Sequence, residues 1–404
     1  MKTPAFSKST VSLKWSLVGA LMLTLAACGG GSDNALPTLP ALPAPTVVTL
    51  ASALSGDQEL PATLTGALGS GSLSVESPSL KLTGNFSING MTATAGHVHL
   101  GKVGANGPVI VPMTSTDGLT FTVPAATVLT PAQATAFAEG GLYFNAHSTD
   151  NPAGEVRGQI GREVFAAQMS NAQEVPTNAS SATGNGLLSF DATTKKITAQ
   201  VTLTGMAATA AHIHTGVLGA NGPVIFSMTQ TTPTSGIWTT AADALMTDAQ
   251  VSNLKAGGLY FNAHSAAFPG GEIRGQIGLN VKFASLSAAQ EVPTNNSAAT
   301  GTGTLVVNPL TRAASGSITL TGMTATVAHI HLGAAGANGP IIVSMTSASA
   351  GVFSTPANTV FTADQFKAYK QGSLYFNAHS AAFPGGEIRG QIASPAQVAN
   401  LAGY

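Results

Sequence analysis

Charge is scarce in this chain. Lys, Arg, Asp and Glu make up 8% of its 404 residues, and the formal net charge is −1. Neutralising phosphates takes a basic surface, so nucleic acid is excluded as a partner. Cysteine occurs once, at Cys28, which rules out an internal disulfide and any thiolate metal site. Aromatic residues amount to 6%. The apolar run at the N-terminus, from Trp15 to Ala27, spans 13 residues, short of the roughly 20 that a membrane-crossing helix needs. No Ser-His-Asp or Cys-His arrangement is apparent, and no second acid is expected to recur beside Glu155 to make a carboxylate pair. Catalysis is therefore not expected.

The chain is rich instead in Gly, Ala, Thr and Ser, with recurrent Val/Ile/Thr alternation. That composition fits short strands joined by tight turns. Lys2, Lys8 and Lys14 precede the apolar run, which ends in Leu25-Ala26-Ala27-Cys28. This is the layout of a processed leader over residues 1–27. Its end resembles the bacterial lipobox, in which the cysteine is lipidated and becomes the mature N-terminus. Gly29 after the cysteine resembles lipoproteins sent to the outer membrane. The resemblance implies a cell-envelope protein, periplasmic or surface-facing, held to the membrane through Cys28. Residues 28–46 are Gly/Ser-rich and then Pro-rich, a semi-extended tether.

Everything after the tether is one unit written three times. SGDQELP, SNAQEVP and SAAQEVP open the copies, and GEVRGQIG, GEIRGQIG and GEIRGQIA close them. The first His-x-His histidine recurs after 115 and then 117 residues, the size of a whole domain rather than of a solenoid repeat. Boundaries are expected at 47–162, 163–280 and 281–393, with a tail over 394–404. Stretches such as ITAQVTLTGM alternate as strands do, and the recurrent GANGPVI marks a tight turn before a strand. Thr130-x-x-Gln133, Thr247-x-x-Gln250 and Thr362-x-x-Gln365 are capping boxes, each opening a short helix that stops at Gly140, Gly257 or Gly372. The expectation is a mostly-β protein of three tandem sandwich or barrel domains, each with one short helix.

The opening A-Q-E-V-P, the central H-I-H-x-G with G-P-V-I, and the closing L-Y-F-N-A-H-S with G-G-E-I-R-G-Q-I resemble the CHRD domain, first described in chordin. The likeness runs through nearly all of 48–393, three times over. It implies an immunoglobulin-like or superoxide-dismutase-like β fold and little about activity. The first copy departs from the pattern with DQELP and DNPAGEVRG.

All nine histidines fall in three slots per copy: His97, His99 and His147; His212, His214 and His264; His329, His331 and His379. On a strand the two histidines of His-x-His share a face, with Val98, Ile213 or Ile330 on the other. The third histidine comes 48 to 50 residues after the second and must belong to another strand. Three imidazoles without thiolates suit copper or zinc, one ion per domain, over oxygen-preferring calcium or magnesium. Glu155, Glu272 and Glu387 follow the third histidine by eight residues and are candidates for a fourth ligand or an outer acceptor for an imidazole N–H. Arg157, Arg274 and Arg389 share their face, adding positive charge where a cation would sit. Met113, Met228 and Met345 are read as core residues. His-x-His also resembles the copper site of copper/zinc superoxide dismutases, but those enzymes need further histidines, an Asp and a disulfide that this chain lacks. Two readings remain open: an envelope-anchored binder of copper or zinc, or a non-catalytic module for an extracellular protein or polysaccharide in which His, Glu and Arg form a structural network.

Overall fold

The computed structural model describes residues 44–394. The leader, Cys28, most of the tether and residues 395–404 of the tail lie outside the described residues. In the first domain the strands are β1 (Thr46–Ser55), β2 (Leu68–Ser77), β3 (Lys81–Asn89), β4 (Ala95–Leu100), β5 (Val109–Pro112), β6 (Thr120–Thr122), β7 (Leu142–His147) and β8 (Val156–Gln159), with helix α1 (Pro131–Ala138) before β7. All pair antiparallel in the order β5-β4-β7-β8-β1-β2-β3-β6. A bridge between Thr114 and Thr122 brings the two edges together. In the second domain the equivalent sheet closes into a barrel, because Val224–Gln230 pairs with Ile237–Thr240. The third domain has nine strands in one sheet. The expected mostly-β architecture, with one short helix per domain, is what the chain adopts.

The period-2 alternation sets the inside of each barrel. Val98, Phe144, Ala146 and Val156 are fully buried and meet Phe86 and Phe121 in the first core. Ile213 and Phe261, and Ile330 and Phe376, repeat the pattern in the other two. Met113, Met228 and Met345 belong to these cores, as the sequence led one to expect. Each helix begins on its capping box: the Thr130 hydroxyl accepts from the Gln133 N–H, and the Gln133 side chain accepts from the Thr130 N–H. The same pair of bonds opens Asp248–Lys255 and Ala363–Gln371. Gly140, Gly257 and Gly372 stop the helices with φ near +70° to +76°, a conformation that carries a steric cost for residues with a Cβ.

No linker separates the copies. One domain's last strand ends at Gln159 and the next begins at Glu163; the following junction runs from Gln276 to Asn280. The loop tip at Gly104 packs against the Gln200 side chain of the second domain. The first and third domains also touch directly. Lys370 Nζ lies 2.6 Å from Asp57 Oδ1, with both side chains less than a tenth exposed. Asn280 donates to the other oxygen of Asp57 at 3.1 Å, and Arg312 donates to the Gly66 carbonyl at 3.1 Å.

Candidate metal centre

The histidines sit on the outer face of the barrel wall. Val98 points into the core, so its neighbours His97 and His99 must point out. β7 runs antiparallel beside β4 with His97 opposite Asn145 and His99 opposite Tyr143. The outward residues of β7 are therefore Tyr143, Asn145 and His147. The third histidine thus comes from the neighbouring strand, and the same register recurs in the other domains.

The three rings of each domain converge. In the first, centroid separations are 5.6, 4.9 and 6.2 Å. One ring nitrogen from each histidine falls within 4.8 Å of the other two, in all three domains. His97 Nδ1 and His147 Nε2 are 3.0 Å apart, and the equivalent distances are 3.2 and 3.1 Å. Nitrogens bound 2.0–2.1 Å from one tetrahedral ion would stand about 3.3 Å apart.

Hydrogen bonds fix which nitrogens are free. His99 Nδ1 lies 2.9 Å from the Gly107 carbonyl; a carbonyl only accepts, so Nδ1 carries the proton and Nε2 the lone pair. His147 Nδ1 lies 3.1 Å from the Pro152 carbonyl, which leaves its Nε2 as a lone pair facing His97. Imidazoles oriented through their other nitrogen by a backbone carbonyl are the usual arrangement of metal-ligating histidine. Nε2 of His99, His214 and His331 is buried and has no hydrogen-bond partner. Burial is the main reason that His97, His99, His212, His214, His264, His329 and His331 titrate below the usual histidine range, with repulsion from neighbouring rings adding to it for most. These imidazoles are therefore neutral at pH 7, the form that binds metals.

Two expectations need correction. Glu155, Glu272 and Glu387 do not join the histidines. Their carboxylates accept from the hydroxyls of Thr65, Ser180 and Ser297. The second and third copies add Asn178 and Asn295, which donate to the backbone carbonyls of Glu272 and Glu387. This glutamate pins the segment after the Gln-Glu motif onto the β7–β8 hairpin. The hydroxyl that captures it lies some ninety residues away in sequence, so the eight-residue spacing to histidine carried no information about where it turns.

The arginines are close but screened. Arg157 lies over the Tyr143 ring at 3.6 Å, and His99 stacks on the same ring with centroids 4.8 Å apart. Because β7 lies between β4 and β8, the phenol separates the guanidinium from the imidazole. Arg157 then donates to the carbonyls of Lys102 and Ala105 at 2.9 and 3.0 Å. Arg274 and Arg389 hold the equivalent loops through Val217 and Ala334. That loop carries Gly107, whose carbonyl sets the tautomer of His99. The arginine acts on the site through the loop rather than inside it.

Sequence reasoning missed a second recurrent acid, Glu59, Glu174 and Glu291, the glutamate of the opening Gln-Glu motif. Each is at most 6% exposed. Asn145, Asn262 and Asn377 donate to them at 3.3, 2.9 and 2.9 Å. Burial raises Glu59 and Glu174 to about 7, against the lowering pull of Arg157 and Arg274; Glu291 is raised for the same reason. The signal was available: the acid recurs at the same place in all three copies.

No curated protein is similar enough to this chain to serve as a relative. The CHRD domain profile matches residues 50–160, 165–277 and 283–392. These spans take in every histidine triad and each recurrent Glu, Arg and Asn, and the chain belongs to the CHRD domain family as three tandem copies.

Proposed function

We propose that each domain binds one copper or zinc ion through its three histidines, and that the protein binds or sequesters these metals at the cell envelope, tethered through a lipid on Cys28. The observation that carries this reading is the buried, unpartnered Nε2 of the His-x-His second histidine in every copy. A purely structural network would satisfy that atom, because an orphaned buried polar group costs about 1–3 kcal/mol. Here the cost recurs three times, always beside two further nitrogens. An all-imidazole donor set suits copper or zinc. Binding also needs no net proton loss: His97 has only to move its hydrogen from Nδ1 to Nε2 for three lone pairs to face one point.

The test is stoichiometry. The full chain carrying Cys28→Ser is titrated with Cu²⁺ and Zn²⁺, and bound ions are counted. About three per chain is expected, falling by one for each His-x-His changed to Ala-x-Ala. Affinity no tighter than millimolar would refute the reading.

One observation favours a second reading, contact with a surface polysaccharide. A crevice of about 540 Å³ lies between the second and third domains, with Thr304, Ser315, Ser317 and Ser354 beside Phe283 on one wall. Hydroxyls around one aromatic ring, with no basic side chain, suit a neutral sugar. Retention on insoluble glycans, lost in Phe283→Ala, would separate this reading from the first.

A further inference from the structure

Four residues border each centre. On the outer face of the sheet His97 stands directly opposite Asn145, with His99 in the next outward row on one side and His147 in the next on the other. Directly opposed residues have Cβ atoms about 5 Å apart, so Asn145 occupies the remaining corner of the quadrilateral that the three histidines begin. Asn262 opposite His212 and Asn377 opposite His329 repeat the placement.

Each of these asparagines is 4% exposed. Its Nδ2 donates to the side chain of Glu59, Glu174 or Glu291. The other end, Oδ1, is buried and has no donor in any of the three copies. Gly154, Gly271 and Gly386 press bare Cα atoms against the amide; a Cβ there would lie 2.7 to 3.0 Å from the asparagine head group. The amide is therefore clamped, with its unpaired Oδ1 held in place on the residue directly opposite His97.

Among the described residues, each cluster brings together three histidines and no fourth ligand. Glu155 is bound to Thr65, Met113 is in the core, and the Tyr143 hydroxyl accepts from the Gly107 N–H. A site with three protein ligands keeps a position open for an outside molecule, whereas structural sites close with four.

We propose that this fourth position takes a small exogenous ligand that carries its own hydrogen, water at rest, and that Oδ1 of Asn145, Asn262 and Asn377 receives that hydrogen. This inference rests on the metal reading above. The asparagine is a positioning residue, with the glutamate holding its amide in place. Neutral protic donors are favoured over bare anions, whose lone pairs would face the amide oxygen.

The experiment uses the full chain carrying Cys28→Ser, loaded with Cu²⁺, and reads water-proton relaxation and the copper–azide charge-transfer band. Enhanced relaxation is expected, quenched as azide displaces the water. The combined Asn145→Leu, Asn262→Leu, Asn377→Leu protein should still bind three coppers yet take azide about fivefold or more tighter, since about one hydrogen bond no longer holds the water. If the combined protein does not fold, Asn145→Leu alone gives the same readout, with one third of the copper shifted and two unaltered centres as reference. Copper that binds without enhanced relaxation or an azide band, or azide affinity unchanged by the leucines, overturns the inference and leaves the metal reading standing. Absence of copper binding removes both.

Discussion

The contact between the first and third domains is the place to perturb the assembly without touching a histidine. Lys370 Nζ is 2.6 Å from Asp57 Oδ1, in a setting where the two side chains are 6% and 9% exposed. Asn280 donates to the second oxygen at 3.1 Å, and the ammonium also reaches the Thr63 carbonyl at 3.3 Å. A surface pair would contribute no more than about 1 kcal/mol. Here Asp57→Leu removes the carboxylate that faces a buried ammonium, and Lys370→Met removes the ammonium that faces a buried carboxylate. Removing one partner of such a pair costs about 3–5 kcal/mol. We take about 3, because Thr63 and Asn280 keep part of the solvation. Replacing both charges, as in Asp57→Leu with Lys370→Met, should recover most of the loss, since a well-packed apolar pair is often as stable as the ion pair it replaces. The assay is urea unfolding of the four proteins, closed as a double-mutant cycle. Singles that each cost under about 0.5 kcal/mol, or a double that costs the sum of the singles, would refute the buried coupling. Either result would mean that the first and third domains do not rest on each other through this pair.

Three further outcomes follow from the site. Gly154→Ala puts a Cβ 2.7 Å from the Asn145 oxygen and 2.9 Å from Glu59 at a φ of +138°, and should cost about 2–4 kcal/mol in chemical denaturation; a neutral result would mean the amide is not clamped. Arg157→Lys keeps the charge but loses the planar fork over Tyr143 and its paired bonds to Lys102 and Ala105. It should weaken metal binding about tenfold by freeing the loop that orients His99, with metal-free stability down by about 1–3 kcal/mol. Glu59 and Glu174 titrate near 7 in the folded chain against an ordinary 4.5. A raised carboxyl holds its proton more tightly when folded, so the stability it lends is complete below about pH 4.5 and is lost as pH rises to about 7, up to about 3 kcal/mol each. Glu59→Gln with Glu174→Gln should flatten that part of the pH–stability curve of the metal-free protein; an unaltered slope would contradict the assignment.

Periodicity and recurrence made much of this protein legible before any coordinates. Alternation put His97 and His99 on one face and Val98 on the other, because a strand offers only two faces. Capping boxes placed all three helices, since Thr and Gln three apart can satisfy the first-turn N–H groups from local sequence alone. Tandem repetition showed three copies of one unit and gathered nine histidines into three sets. What sequence could not determine was where long-range partners turn a side chain. Glu155 follows His147 by eight residues, yet its carboxylate is taken by Thr65, ninety residues earlier. Arg157 shares a strand face with its neighbours, but the Tyr143 ring stands between it and His99. Glu59 recurs as regularly as the histidines, but it joins the site only because β1 and the turn after it lie against β8. Asp57 and Lys370, more than three hundred residues apart, meet only when the first and third domains do. Local rules act over one strand or one helical turn; the hydrogen-bond partners and the charge balance of a site are set by which strands become neighbours.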